Sequence, residues 1–202
     1  MNGALAMSRR RIAVVVGILF FFQLITFLIG SILVESFLEG DAGEATLTVG
    51  VLLELCAGVA VVAIGILMYR ILKPIHRRLA LGYPVMRVLE FTISAILAVY
   101  LLSRLEEFPN HLLWVYIPTG IGGLILNYLL YVSGIVPRAI SVLGLVGYAL
   151  LLLTVPLVLL GVIEEDGSAG LALLAPGGVY EFVVLPIWLI AKGFRPPMMR
   201  TA

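Results

Sequence analysis

Six long apolar blocks, parted by short polar segments, organise this chain: Ile12–Val34, Thr46–Tyr69, Tyr83–Leu102, His111–Ser133, Ala139–Ile163 and Leu171–Ile190. Each has about the 20 residues that a helix needs to cross a bilayer core. Strands of a membrane barrel would be about 10 residues long with strict alternation, and these runs are longer and continuous. The pattern therefore predicts an all-α membrane protein, a six-transmembrane-helix bundle forming one integral membrane domain over residues 1–202.

Within the blocks, small and polar residues recur at steps of three and four, which keeps them on one face of a helix. The first block carries Gln23, Thr26 and Gly30; the second Gly50, Glu54, Gly58, Val61 and Gly65; the third Arg87, Glu90, Ser94 and Ala98; the fourth Gly120, Gly123, Asn127 and Tyr131. Glu181 stands in the sixth. Such stripes on Leu/Val/Ile helices are the pattern of packed interfaces in membranes. Glycines also precede three polar residues by four positions: Gly50 before Glu54, Gly123 before Asn127 and Gly177 before Glu181. One reading is a cavity one turn above each polar group; the other is close helix packing.

Composition agrees with the pattern: 62% of residues are hydrophobic and 12% charged, against about 25% charged in an average soluble domain. The single cysteine, Cys56, lies in an apolar run and reads as a small buried hydrophobe. Arg9, Arg10 and Arg11 precede a 23-residue apolar run, longer than the roughly 7–15 residues of a signal-peptide core, so this run reads as a retained first span.

The net charge of +1 conceals a segregation of sign. Arg9, Arg10, Arg11, Arg70, Lys73, Arg77, Arg78, Arg87, Arg138, Lys192, Arg195 and Arg200 fall on one side, 12 of the 13 basic residues, with Arg104 opposite. Glu35, Glu39, Asp41, Glu44, Glu106, Glu107, Glu164, Glu165 and Asp166 fall on the other side. Basic loops stay inside, which predicts cytoplasmic N and C termini in a multi-pass protein of the cell membrane. Gly134 suits the end of helix 4 and Pro137 the first position of helix 5, with Arg138 as an interfacial anchor. The loop containing Arg70, Lys73, Arg77 and Arg78 either enforces this topology or also touches anionic lipid. No nucleic-acid partner is expected.

The candidate chemistry lies in the membrane-depth polar residues, because ionisable groups there are costly and usually face the bundle interior. Glu54, Arg87, Glu90, Asn127 and Glu181 form the candidate polar core or ligand site, with Gly50, Gly123, Gly177, Gln23 and Ser94 as candidate cavity lining. Arg87 and Glu90, three apart, can pair on one helix face. Asn127 can both donate and accept hydrogen bonds. The set reads either as a latch joining helices 2, 3, 4 and 6 or as a protonatable binding site. No phosphate loop, HExxH or Cys/His cluster occurs, so no catalytic residue, cofactor or metal site is assigned, and an enzyme is the least favoured reading. The Glu-Phe pairs at 90–91 and 181–182 raise the further idea of an inverted three-plus-three repeat.

The stretches "LNYLLYVSGIVPRAISVLGLVGYALLL" and "YEFVVLPIWLIAKGF", with "LLELCAGVAVVAIGILMYRILKP" and "ALGYPVMRVLEF" upstream, resemble a prokaryotic integral-membrane family catalogued as domain of unknown function 4386. The resemblance spans nearly the whole chain and puts Glu54, Arg87, Glu90, Asn127 and Glu181 on the family's polar positions. It implies a six-helix membrane protein and supplies no substrate. The family often has basic residues where this chain has Val132 and Gly134, and Trp where Leu143 stands. A role that needs a basic inner turn is thus not implied here. The expected function is a small carrier or ligand-binding membrane protein, with a structural or accessory subunit as the alternative.

Overall fold

The computed structural model describes residues 8–196; Arg200 of the basic tail lies outside them. Six helices long and apolar enough to cross a membrane are present, and no strand occurs among the described residues. They are α1 Arg9–Leu38, α2 Glu44–Leu72, α3 Arg77–Arg104, α4 His111–Ser133, α5 Arg138–Leu159, and a sixth span, Ser168–Ala191. That last span is built from α6 Ser168–Val179, a π-helical turn Tyr180–Val184, and α7 Leu185–Ala191. The helices overlap all six predicted blocks. The first three run further at both ends, because Arg9–Arg11, Arg70, Arg77 and Arg104 continue the helix past the apolar stretch.

Each helix packs against its chain neighbours, and the sixth span returns to α1, so the six form a ring in chain order. A two-fold axis in the membrane plane would reverse the order of the second three helices around such a ring. The Glu-Phe pairs therefore do not mark an inverted repeat.

The ring is apolar on its outside. Ile18, Ile25 and Ile32 recur every seven residues along α1 and are all exposed, the face a lipid-embedded helix presents. Cys56 is also exposed, on the outward face of α2, and not buried as its apolar surroundings suggested. The interior takes aromatics and small residues: Phe20, Tyr83, Tyr148 and Tyr180 are fully buried beside Met68, Leu126 and Leu189. This core fills the half of the bundle nearer the termini. In the opposite half a smaller core joins α1, α2 and α3 only, through Val34, Leu47, Val51, Ala98 and Leu101.

Local signals set the ends. Ser8 caps α1 through its hydroxyl and His76 caps α3 by accepting from the Leu79 amide at 3.1 Å. Gly134 ends α4 in the left-handed conformation at φ 64°, and Pro137 is the cap of α5, one residue before the helix begins. The Arg138 guanidinium lies 5.5 Å from the Tyr131 ring centroid, holding that hairpin. At the same end Arg10 donates to the Leu189 carbonyl at 3.2 Å and the Ile190 carbonyl at 2.6 Å. The Arg195 amide donates to the Ile135 carbonyl at 2.8 Å. Both ends of the described chain thus meet on one face of the bundle.

Candidate functional site

The polar centre is organised by Arg87 on α3, whose surface is 1% exposed. Gly65 of α2 makes room for it: a Cβ there would stand 3.1 Å from the Pro84 Cα and 3.2 Å from the Arg87 Cβ. Small residues permit this backbone approach in membrane interfaces. On α3 itself, Tyr83 and Glu90 lie four residues before and three after Arg87, on the same face. Arg87 Nε donates to the Tyr83 hydroxyl at 3.2 Å and Nη1 to Glu90 Oε2 at 2.7 Å. Its Nη2 donates to Glu181 Oε1 at 3.2 Å and, more weakly, to the Tyr148 hydroxyl at 3.5 Å. Tyr148 closes the ring by donating to Glu181 Oε2 at 2.8 Å. The Tyr148 and Tyr180 rings meet edge to face with centroids 6.0 Å apart, and Thr119 of α4 faces the Glu90 carboxylate.

Local geometry places these groups. Arg87 and Tyr148 each stand ten residues from the termini-side end of their helix, and Glu181 ten residues before Ala191. That is about 15 Å along the axis, half of a core about 30 Å thick. Glu181 belongs to the π-helical turn, where the Leu185 amide bonds back five residues to the Tyr180 carbonyl. Pro186 follows at once and offers no N–H to the turn. Single π turns of this kind recur at functional sites. The Tyr148 ring reaches the centre because it lies flat on Gly123 of α4, where any Cβ would strike it.

Arg87, Glu90 and Glu181 belong to one set, as the sequence suggested for the polar core. Glu54 does not join them: it accepts from the Ser31 hydroxyl at 3.0 Å in the α1–α2 seam. Counted from Leu72, Glu54 stands 18 residues up α2, far above the level of Arg87. Asn127 is fully buried but turns to its own helix, donating to the Gly123 carbonyl at 2.9 Å. Its carboxamide packs on the bare Cα of Gly144, and its Oδ1 has no hydrogen-bond partner, nor has the buried Tyr180 hydroxyl. The set therefore joins α3, α5 and the sixth span, with α4 alongside, and not helices 2, 3, 4 and 6.

The glycine offsets mark close packing and not a cavity above each polar group. A Cβ on Gly50 would stand 2.8 Å from the Gly30 carbonyl oxygen. Gly123 holds the Tyr148 ring, and Gly177 packs on the backbone of Gly147. Ser94 donates to the Glu90 carbonyl at 3.0 Å, within its own helix. Gln23 is buried, and its Oε1 has no hydrogen-bond partner. No group of three or more His, Cys, Asp or Glu side chains is arranged to hold a metal among the described residues.

Sequence reasoning missed Tyr148, Tyr83 and Tyr180. The signal was present in α5, where Ser141, Gly144, Gly147 and Tyr148 share one face and are all buried. A tyrosine on a small-residue stripe inside a span needs a partner for its hydroxyl.

No curated protein and no solved structure matches this chain. The family described as "Domain of unknown function (DUF4386)" matches residues 15–107 and 97–193. Those segments take in all six spans and every residue of the Arg87 set, and the chain belongs to that family.

Proposed function

We propose that this protein is a small carrier or ligand-binding protein of the cell membrane, with Arg87, Glu90, Tyr148 and Glu181 as its binding centre. The observation that carries the reading is one buried guanidinium serving two buried carboxylates at 2.7 and 3.2 Å. With both carboxylates ionised the set has a formal charge of −1, so one proton or one monovalent cation makes it neutral. Ionisable groups held at the middle of a span mark ion or substrate pathways, and carriers place their sites near the bilayer midplane. The excess of basic residues on the termini side supports cytoplasmic termini. Arg70, Lys73, Arg77 and Arg78 on that face suit anionic headgroups.

A second reading, a latch that only fastens α3, α5 and the sixth span, draws on the number of bonds Arg87 makes. Single Glu181→Gln and Glu54→Gln variants separate the two. With thermal stability and proton or solute flux measured in liposomes, the carrier reading expects Glu181→Gln to abolish flux at near wild-type stability. Glu54→Gln leaves more flux, because Glu54 stands outside the set. Lost stability in Glu181→Gln together with no flux in the wild type leaves the latch.

A further inference from the structure

Four polar atoms between the termini face and the Arg87 set are buried without a hydrogen-bond partner among the described residues: Asn127 Oδ1, Ser141 Oγ, the Tyr180 hydroxyl and Trp188 Nε1. They follow one seam of the bundle. Trp188 stands three residues before the end of α7 and Ser141 three after the start of α5, about 5 Å in from the termini face. Asn127 stands six residues before the end of α4, about 9 Å in. Its carboxamide lies against Gly144, one turn beyond Ser141 on the same buried face of α5. Tyr180 comes last, its ring edge to face with that of Tyr148, whose hydroxyl donates to Glu181 Oε2 at 2.8 Å. The row leads from the termini face to the Arg87 set.

A short strap crosses the end of this seam. Gly193 turns the chain out of α7 in the left-handed conformation at φ 71°, which a side chain adopts only with strain. The chain then reaches the α4–α5 hairpin, where the Arg195 amide donates to the Ile135 carbonyl at 2.8 Å. The Arg195 guanidinium lies 5.0 Å from the Trp188 ring centroid, and Phe194 packs against the core that includes Ile135 and Val136, both 0% exposed. Arg10 of α1 fastens the start of the strap through the Leu189 and Ile190 carbonyls. The strap therefore ties together the sixth span and the α4–α5 hairpin, the elements that carry the row. Buried donors and acceptors without partners are costly, and proteins commonly meet that cost with hydrogen-bonded water.

We infer that water and protons reach the Arg87 set from the termini face along Trp188, Ser141, Asn127 and Tyr180, and that the strap Gly193–Arg195 gates this route. This deepens the carrier reading and rests on the same centre: the ion it handles is the proton. With the strap closed the row is dry, and the cost of its unpaired atoms works against closure. With the strap lifted, water enters and meets donors and acceptors at each level. A proton passes when each water in the row gives one proton inward and receives one from the termini side, so the row ends unchanged. The proton is bound by a carboxylate of the set, whose formal charge goes from −1 to zero. The charged and titratable groups facing that carboxylate are Tyr83, Arg87 and Glu90 of α3, Tyr148 of α5 and Tyr180; α1 and α4 carry no charged residue at this level.

The test uses the full chain on a Cys56→Ala background, in vesicles of known orientation, with a charged, membrane-impermeant methanethiosulfonate applied from each side in turn. Ser141→Cys gives up no hydrogen bond and reports on the row; Thr154→Cys, also 0% exposed on α5, lies beyond the set and serves as the control. Ser141→Cys should react with reagent on the termini side and not from the opposite side. Arg10→Met removes the bonds of a charged donor to the end of α7 and should raise that rate roughly tenfold or more, with Thr154→Cys unchanged. Gly193→Val strains the left-handed turn and should act in the same direction, which covers a failure of Arg10→Met to fold. Ser141→Cys that stays inert in all three backgrounds, or that reacts from the opposite side, overturns the inference. A rise of equal size at Thr154→Cys means general loosening and overturns it too. Labelling requires no flux, so proton flux with an inert Ser141→Cys sinks this inference alone, whereas gated labelling without flux sinks only the carrier.

Discussion

Replacing Arg87 with Met should expose how the centre is balanced. Arg87 is 1% exposed and donates to four groups: Tyr83, Glu90, Tyr148 and Glu181. Removing it leaves two carboxylates facing each other with their one cation gone. Breaking a buried pair from one side typically costs about 3–5 kcal/mol, because a charge is stranded away from water. Replacing all the charges together costs far less, since the desolvation of each ion is then avoided as well. Arg87→Met alone should therefore lose about 3–5 kcal/mol, while the triple variant Arg87→Met, Glu90→Gln, Glu181→Gln should recover to within about 2 kcal/mol of the wild type. Reversible unfolding in mixed detergent and SDS micelles, followed through Trp114 and Trp188, provides the measurement. If Arg87→Met costs under about 1 kcal/mol, or if the triple variant is no more stable than the single one, the charges are not coupled as described.

Other substitutions probe how the helices bring the centre together. Gly147→Ala should cost about 1–3 kcal/mol, because its Cβ would stand 2.6 Å from the Gly177 Cα and push the sixth span off α5. Gly178→Ala, whose Cβ meets nothing within 4 Å, should instead gain about 0.5–1 kcal/mol in helix stability; the same unfolding assay reads both. Tyr148→Phe removes the donor that stands 2.8 Å from Glu181 Oε2 and should cost about 1.5–3 kcal/mol. A neutral result there means that the hydroxyl makes no bond to the carboxylate.

The architecture was legible because a membrane writes its demands plainly: long apolar blocks, basic residues on alternate connections, and Gly134 and Pro137 at a tight hairpin. The Arg87–Glu90 pair was legible too, since spacing on one helix decides it. Glu181 as a partner of Arg87 was only one option among several, because residues 94 positions apart meet through packing that no periodicity encodes. Glu54 shows the limit. It shares the stripe pattern, yet the Gly30–Gly50 crossing holds it in the α1–α2 seam beside Ser31. Glycine left two readings open in the same way: four residues before a polar group it can mean space or close packing, and Gly123 spends its space on the Tyr148 ring. Which neighbour fills a glycine is decided by the partner helix, not by the helix that carries it.

The central claim is that the Arg87, Glu90, Tyr148 and Glu181 set works on an ion or ligand and does more than fasten helices. Flux per folded molecule, compared between wild type and Glu181→Gln in matched liposomes, tests it most directly. The account predicts measurable wild-type flux that falls to the level of protein-free liposomes in the variant, with both proteins monodisperse and similarly stable. Equal flux in the two proteins, or none in a well-folded wild type, would contradict it.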